Sequence, residues 1–192
     1  KKNMVRLTLW LIIFLLFAVT ACRQSKKPGQ DSSPEESLKT QLDKSQITEK
    51  ISLEAIGLAY LEENNLEQAI GQFRRIIEID PLDAPAHGNL GVAYLRLGKA
   101  DSALFYLERA VKLSPNDPDI RINLAKAYEL KNDPEASLKE LRKSEELDPD
   151  HIKTLYSLAE KFEGSTDTKS LAQWEAYMRR IVANSPRNIV AR

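Results

Sequence analysis

Residues 84–117 read APAHGNLGVAYLRLGKADSALFYLERAVKLSPND, and residues 118–151 read PDIRINLAKAYELKNDPEASLKELRKSEELDPDH. Laid one under the other, Leu90 falls on Leu124, Gly91 on Ala125, Tyr94 on Tyr128, Ala103 on Ser137, Leu107 on Leu141, Leu113 on Leu147 and Pro115 on Pro149. The interval is 34 residues each time. Ile56, Gly57, Tyr60, Ala69, Phe73, Ile79 and Pro81 stand one period upstream, and Leu158, Ala159 and Phe162 one period downstream. Independent columns that share one period make this a repeat array, in which each unit buries its apolar face by stacking on its neighbours.

Within each unit, apolar residues at helical spacing are interrupted by a short polar turn. The pattern predicts helix pairs over 47–63 with 66–79, 84–97 with 100–113, 118–131 with 134–147, and 151–163 with 167–184. The column Gly57, Gly91, Ala125, Ala159 lets the two helices of a hairpin approach closely, and Tyr60 and its counterparts fill the wedge toward the next helix. Pro81, Pro115 and Pro149 cannot continue a helix and mark the junctions, whereas Pro134 falls in a first turn, where its missing N–H costs little.

A 34-residue period with small residues at the helix crossing and a closing proline resembles the tetratricopeptide repeat. That resemblance implies an all-α fold, a right-handed α-solenoid of about four helix-turn-helix units over residues 47–186. The repeats would lie at about 50–83, 84–117 and 118–151, with a divergent unit at 152–188 and a tail at 187–192. Pro149 and Pro186 are 37 positions apart, so the stretch around Gly164 to Asp167 carries about three extra residues, and Trp174 stands in the Ala69, Ala103, Ser137 column. A bulky residue at a close crossing predicts wider packing there, as in a capping unit. The tail Ile189 to Arg192 reads as the possible start of a further helix.

The chain opens differently. Lys1 to Arg6 is basic, and Leu7 to Val19 (LTLWLIIFLLFAV) is apolar apart from Thr8, the n-region and h-region of a secretory signal. As a helix this run rises about 20 Å, short against about 30 Å of bilayer hydrocarbon. It ends in Val19-Thr20-Ala21-Cys22, which resembles the lipobox of bacterial lipoproteins. The resemblance implies a signal peptide over 1–21, cut before a lipidated Cys22; two or three acyl chains then anchor stably where one does not. The alternative is an uncleaved signal-anchor helix with a bystander cysteine. Residues 22–46 read as a polar tether with Pro28, Gly29 and Pro34, its coil reach on the order of 25 Å. The expected location is the bacterial cell envelope, membrane-anchored and facing the periplasm, or the cell exterior in a Gram-positive organism. Arg23, rather than Asp, after the cysteine favours the outer membrane.

Composition excludes several functions. The formal net charge is zero, and beyond residue 22 there are 25 basic against 28 acidic residues, with no electrostatic footprint for nucleic acid. A single cysteine permits no internal disulfide or multi-cysteine zinc site. Only His87 and His151 are available as bases, and each reads as structural or solvated. No glycine-rich phosphate loop, paired-carboxylate motif or metal-ligand spacing is present, so neither an enzyme nor a cofactor is expected.

The family resemblance also implies a concave face lined by the first helix of each pair. Its candidates are Ile51, Ala55, Leu58, Leu61 and Glu62, then Asn89, Val92, Leu95 and Arg96, then Ile122, Asn123, Lys126 and Leu130. Asn89 and Asn123 are one period apart; in peptide-binding relatives an asparagine there bonds the ligand backbone, which suits an amide that both donates and accepts. The expected partner-binding set is Leu58, Asn89, Val92, Arg96, Ile122, Asn123 and Lys126, taking an extended or helical apolar segment. The alternative leaves both asparagines merely solvated. Arg96, Lys126 and Lys153 are too scattered among Glu62, Asp119 and Glu129 for a carboxylate clamp. Repeats behind a lipidated cysteine resemble the pilus-biogenesis lipoproteins, implying a scaffold for an envelope or pilus-type complex. An adaptor for an envelope protease or cell-wall hydrolase, and the targeting arm of an enzyme continuing past Arg192, are the other readings.

Overall fold

The computed structural model describes residues 42–184, which form eight α-helices and no strand. They are α1 (Lys44–Glu62), α2 (Leu66–Ile79), α3 (Ala84–Arg96), α4 (Ala100–Leu113), α5 (Pro118–Leu130), α6 (Pro134–Leu147), α7 (Ile152–Glu160) and α8 (Thr168–Asn184). Each odd helix packs on the following even one, giving an all-α solenoid of four hairpins. The apolar run 7–19, Cys22, most of the expected tether and the tail 187–192 lie outside the described residues. Among the described residues no helix is long and apolar enough to cross a membrane.

Local chemistry explains where the helices begin and end. Residues 44–46, expected as tether, are the first turn of α1. The Gln46 amide donates to Asp43 Oδ1 at 2.8 Å and the Asp43 amide to Gln46 Oε1 at 3.0 Å, a reciprocal capping box that starts the helix three residues early. Asp83, Asp117 and Asp133 cap α3, α5 and α6 by accepting the amides of Ala86, Ile120 and Ala136. In the first three units a three-residue turn joins the two helices, its middle residue left-handed: Asn64 (φ 59°), Gly98 (φ 70°) and Asn132 (φ 61°). The next amide reaches back to the tyrosine carbonyl, Asn65 to Tyr60 at 2.8 Å, Lys99 to Tyr94 at 2.9 Å and Asp133 to Tyr128 at 2.9 Å. This closure satisfies the last carbonyls of each first helix, and glycine and asparagine tolerate its backbone conformation best.

Packing follows the columns. A Cβ built on Gly57 would lie 2.8 Å from Phe73 Cε1, and one on Gly91 would lie 2.5 Å from Leu107 Cγ, so in both hairpins the side chain of the second helix occupies the space a methyl group would need. Leu90, Leu124 and Leu158 are almost wholly buried, whereas Ile56 in the same column is 45% exposed because the described residues hold no earlier hairpin for it to pack against.

The fourth unit departs as its sequence does. The turn between α7 and α8 spans residues 161–167, in place of three residues elsewhere. Ala69, Ala103 and Ser137 are fully buried, but Trp174 is too large for that crossing and stays half-buried. What α8 sinks instead is Tyr177, one turn on, with Ile181. The guanidinium groups of Arg142 and Arg180 each lie 5.7 Å from the centroid of the Tyr177 ring, and its hydroxyl accepts from Arg142.

Candidate functional site

The stack curves toward its odd helices: α1 touches α3, α3 touches α5 and α5 touches α7, while no even helix touches another even helix. The odd helices therefore line the inner, concave side. Two rows along it are set by the repeat period. One holds Ala55, Asn89, Asn123 and Ser157; the other holds Leu58, Val92, Lys126 and Glu160.

In the first row, the side-chain amides of Asn89 and Asn123 are half-buried, reachable by water, and bonded to no protein group among the described residues. A half-buried amide with no internal partner has one donor pair and one acceptor to offer a ligand backbone. In the second row Leu58 is 40% exposed, Val92 is half-buried, and Lys126 is exposed with no carboxylate beside it. Ile51 is more open still, at 60%. Apolar contact and unpaired amides thus lie side by side on α1, α3 and α5.

Two of the expected partner-binding residues are otherwise engaged. Ile122 is 3% exposed and belongs to the core that joins the third and fourth units, which it shares with Leu141, Leu155 and Leu158. It is withdrawn from the groove. Arg96 remains at the surface, but its Nη1 donates to the carbonyl of Leu61 at the end of α1. That bond satisfies a helix-terminal acceptor and ties the first two units together. Leu61 is also core, and Leu95 packs against it, so neither lines the groove openly.

The two histidines occupy structural positions. His87 Nε2 sits 3.0 Å from the carbonyl of Pro81 and is placed to donate to it. One period on, Arg121 does the same for Pro115 while its Nη1 pairs with the buried Glu140 at 2.8 Å. His151 Nδ1 meets Thr154 Oγ1 at 2.9 Å, and Thr154 continues to Ser144 and the carbonyl of Pro118. These bonds pin the junctions between units. Among the described residues no group of three or more His, Cys, Asp or Glu side chains is placed to hold a metal ion.

The fourth unit carries a further feature that the sequence analysis did not single out. Tyr156, Glu160 and Glu163 share an open depression with Ala159, Trp174 and Met178. Glu160 could have been found from the second row, which it ends; the approach of Trp174 and Met178 depends on how α8 packs.

Family models described as "Tetratricopeptide repeat" match residues 54–118 and 95–161, together more than half of the chain. No curated protein matches the sequence. Among solved structures, the crystal structure of MamA superposes with a TM-score of 0.61 at 18% identity, covering 81% of this chain and 86% of MamA. A Thermobaculum terrenum O-GlcNAc transferase gives 0.64 at 18%, covering 76% of this chain and 27% of the transferase, so the likeness spans about a quarter of that enzyme. The second TPR domain of human RPAP3, in complex with the HSP70 peptide SGPTIEEVD, gives 0.52 at 16%, covering 69% and 98%. At such identities the likeness is one of fold.

Proposed function

Because the chain belongs to the tetratricopeptide-repeat family, we propose that it is a lipid-anchored envelope scaffold that binds a protein partner along the inner face of its repeats. The observation that carries the binding role is the pair of unbonded amides, Asn89 and Asn123, one repeat apart and flanked by Leu58 and Val92. Spaced amides can hold the backbone of an extended or helical segment while the apolar row takes its side chains. RPAP3 holding a short peptide is a precedent for this use of the fold. The partner set is Leu58, Asn89, Val92, Asn123 and Lys126, with Arg96 in a positioning role through Leu61.

The anchor rests on sequence: the basic start, the apolar run and Val19-Thr20-Ala21-Cys22 in order. On this reading the protein sits on an envelope membrane and recruits components of an envelope or pilus-type complex; it performs no catalytic step itself. A second reading, the targeting arm of a larger enzyme, is favoured by the likeness to a quarter of the O-GlcNAc transferase.

Crosslinking in cells, with mass spectrometry of captured proteins, tests the groove. The Asn89→Ala, Asn123→Ala double variant of the full chain should lose capture and keep its melting temperature; unchanged capture overturns the assignment. Captured secretin or pilus components support assembly, and a captured hydrolase supports the adaptor role instead. Cys22→Ser should move the protein out of the membrane fraction, and retention there would indicate an uncleaved helix.

A further inference from the structure

The depression on the fourth unit has the chemistry of a cation receptor. It measures roughly 340 Å³ and is lined by Tyr156, Ala159, Glu160, Glu163, Trp174 and Met178. Tyr156 is 47% exposed, Trp174 and Met178 are half-buried, and the buried Ala159 contributes an apolar wall. Glu160 and Glu163 are both exposed and have no ion-pair partner among the described residues. The basic side chains close by in sequence are already committed, Lys161 to Glu129 and Arg179 to Glu175. Two aromatic rings and a thioether beside two uncompensated carboxylates suit a positive group on a long apolar stem. Ring faces attract the charge, the carboxylates neutralise it, and the stem lies on Met178 and Ala159.

We infer that this depression receives a lysine or arginine side chain of the protein that lies along the inner face, an inference that rests on the groove reading above. The row Leu58, Val92, Lys126, Glu160 runs from apolar through cationic to anionic, so the bound segment is apolar over the first two units and basic over the fourth. The basic residue of the segment is thereby placed over the fourth unit and its apolar part over the first two.

Trp174 is the sole indole of the chain once residues 1–21 are cut away, and Trp10→Phe makes it so in an uncleaved chain; either form is held in detergent micelles. Nα-acetyl-arginine amide should change its emission saturably, with a dissociation constant on the order of millimolar. The neutral isostere Nα-acetyl-citrulline amide should not, and Glu160→Gln with Glu163→Gln should weaken the arginine response about tenfold. Equal responses to the two amides, no saturable response to arginine, or an unaffected double glutamine variant would each overturn the inference. The Asn89→Ala, Asn123→Ala variant should titrate as the parent does, so the two readings fail separately. Loss of capture on removing the asparagines, with a silent depression, removes the cation site alone; a working depression with dispensable asparagines removes the groove assignment.

Discussion

A methyl group on the backbone of Gly91 would stand 2.5 Å from Leu107 Cγ, well inside the contact distance of two carbon atoms. The second hairpin is therefore closed to the limit that its sequence allows, and the first is nearly so, with Gly57 against Phe73. In the third and fourth units Ala125 and Ala159 do carry that methyl group, and both are buried. The small-residue column thus sets how tightly each hairpin closes.

Gly91→Ala should destabilise the protein by about 1–3 kcal/mol, the usual cost of overpacking, even though alanine is the better helix former. Gly71→Ala is the control: it lies inside α2 with nothing within 4 Å of an added Cβ, and should gain up to about 1 kcal/mol. Urea unfolding of the two variants would check the opposite signs.

Arg121→Met should cost on the order of 3 kcal/mol, since it leaves Glu140 buried with only the half-exposed Lys143 to pair with it. Glu175→Gln, which breaks the exposed pair with Arg179, should change stability by less than about 0.5 kcal/mol. Thermal melts of the two variants side by side would measure the contrast.

Asn132→Ala should destabilise by about 1 kcal/mol, because alanine resists the left-handed backbone at that turn, while Asn132→Gly should be neutral or better. Comparable losses in both variants would mean that the side-chain amide, and not the backbone conformation, matters there.

Acidification should loosen the fourth unit. Burial pushes the Glu145 carboxyl up, but hydrogen bonds from Arg180 and Arg142, together with their charges, outweigh it and hold the carboxyl below its ordinary value. A carboxyl depressed in the folded state contributes stability that is present above its unfolded value and lost as pH falls through the folded one. Melting temperature should therefore drop below about pH 4.5, and Glu145→Gln should flatten that drop. An unaltered pH profile in the variant would assign the effect to other carboxylates.

Much of the fold was legible because its determinants act locally or over one period. The prolines, the polar turns and the apolar residues at helical spacing placed every helix to within a few residues. The start of α1 was missed by three, since Asp43 and Gln46 form a capping box inside an otherwise polar stretch. Asn64, Gly98 and Asn132 were a readable column as well, with the reason for it lying in the turn conformation. The candidate site was legible only in part. Ile122 shares a helix with Asn123, yet it is buried in the core because α7 lies against that edge of α5.

The amino-acid sequence by itself determined the 34-residue period, the helical hairpins and the divergence of the fourth unit, because turn chemistry and crossing-site volume are properties of single residues repeated at one interval. Only the tertiary structure decided which inner-face side chains remain available to a partner. Exposure of Asn89, the engagement of Arg96 with Leu61, the loss of Ile122 to the core and the meeting of Tyr156 with Trp174 each depend on two units packing together, and no single unit's sequence encodes how far its neighbour's side chains reach.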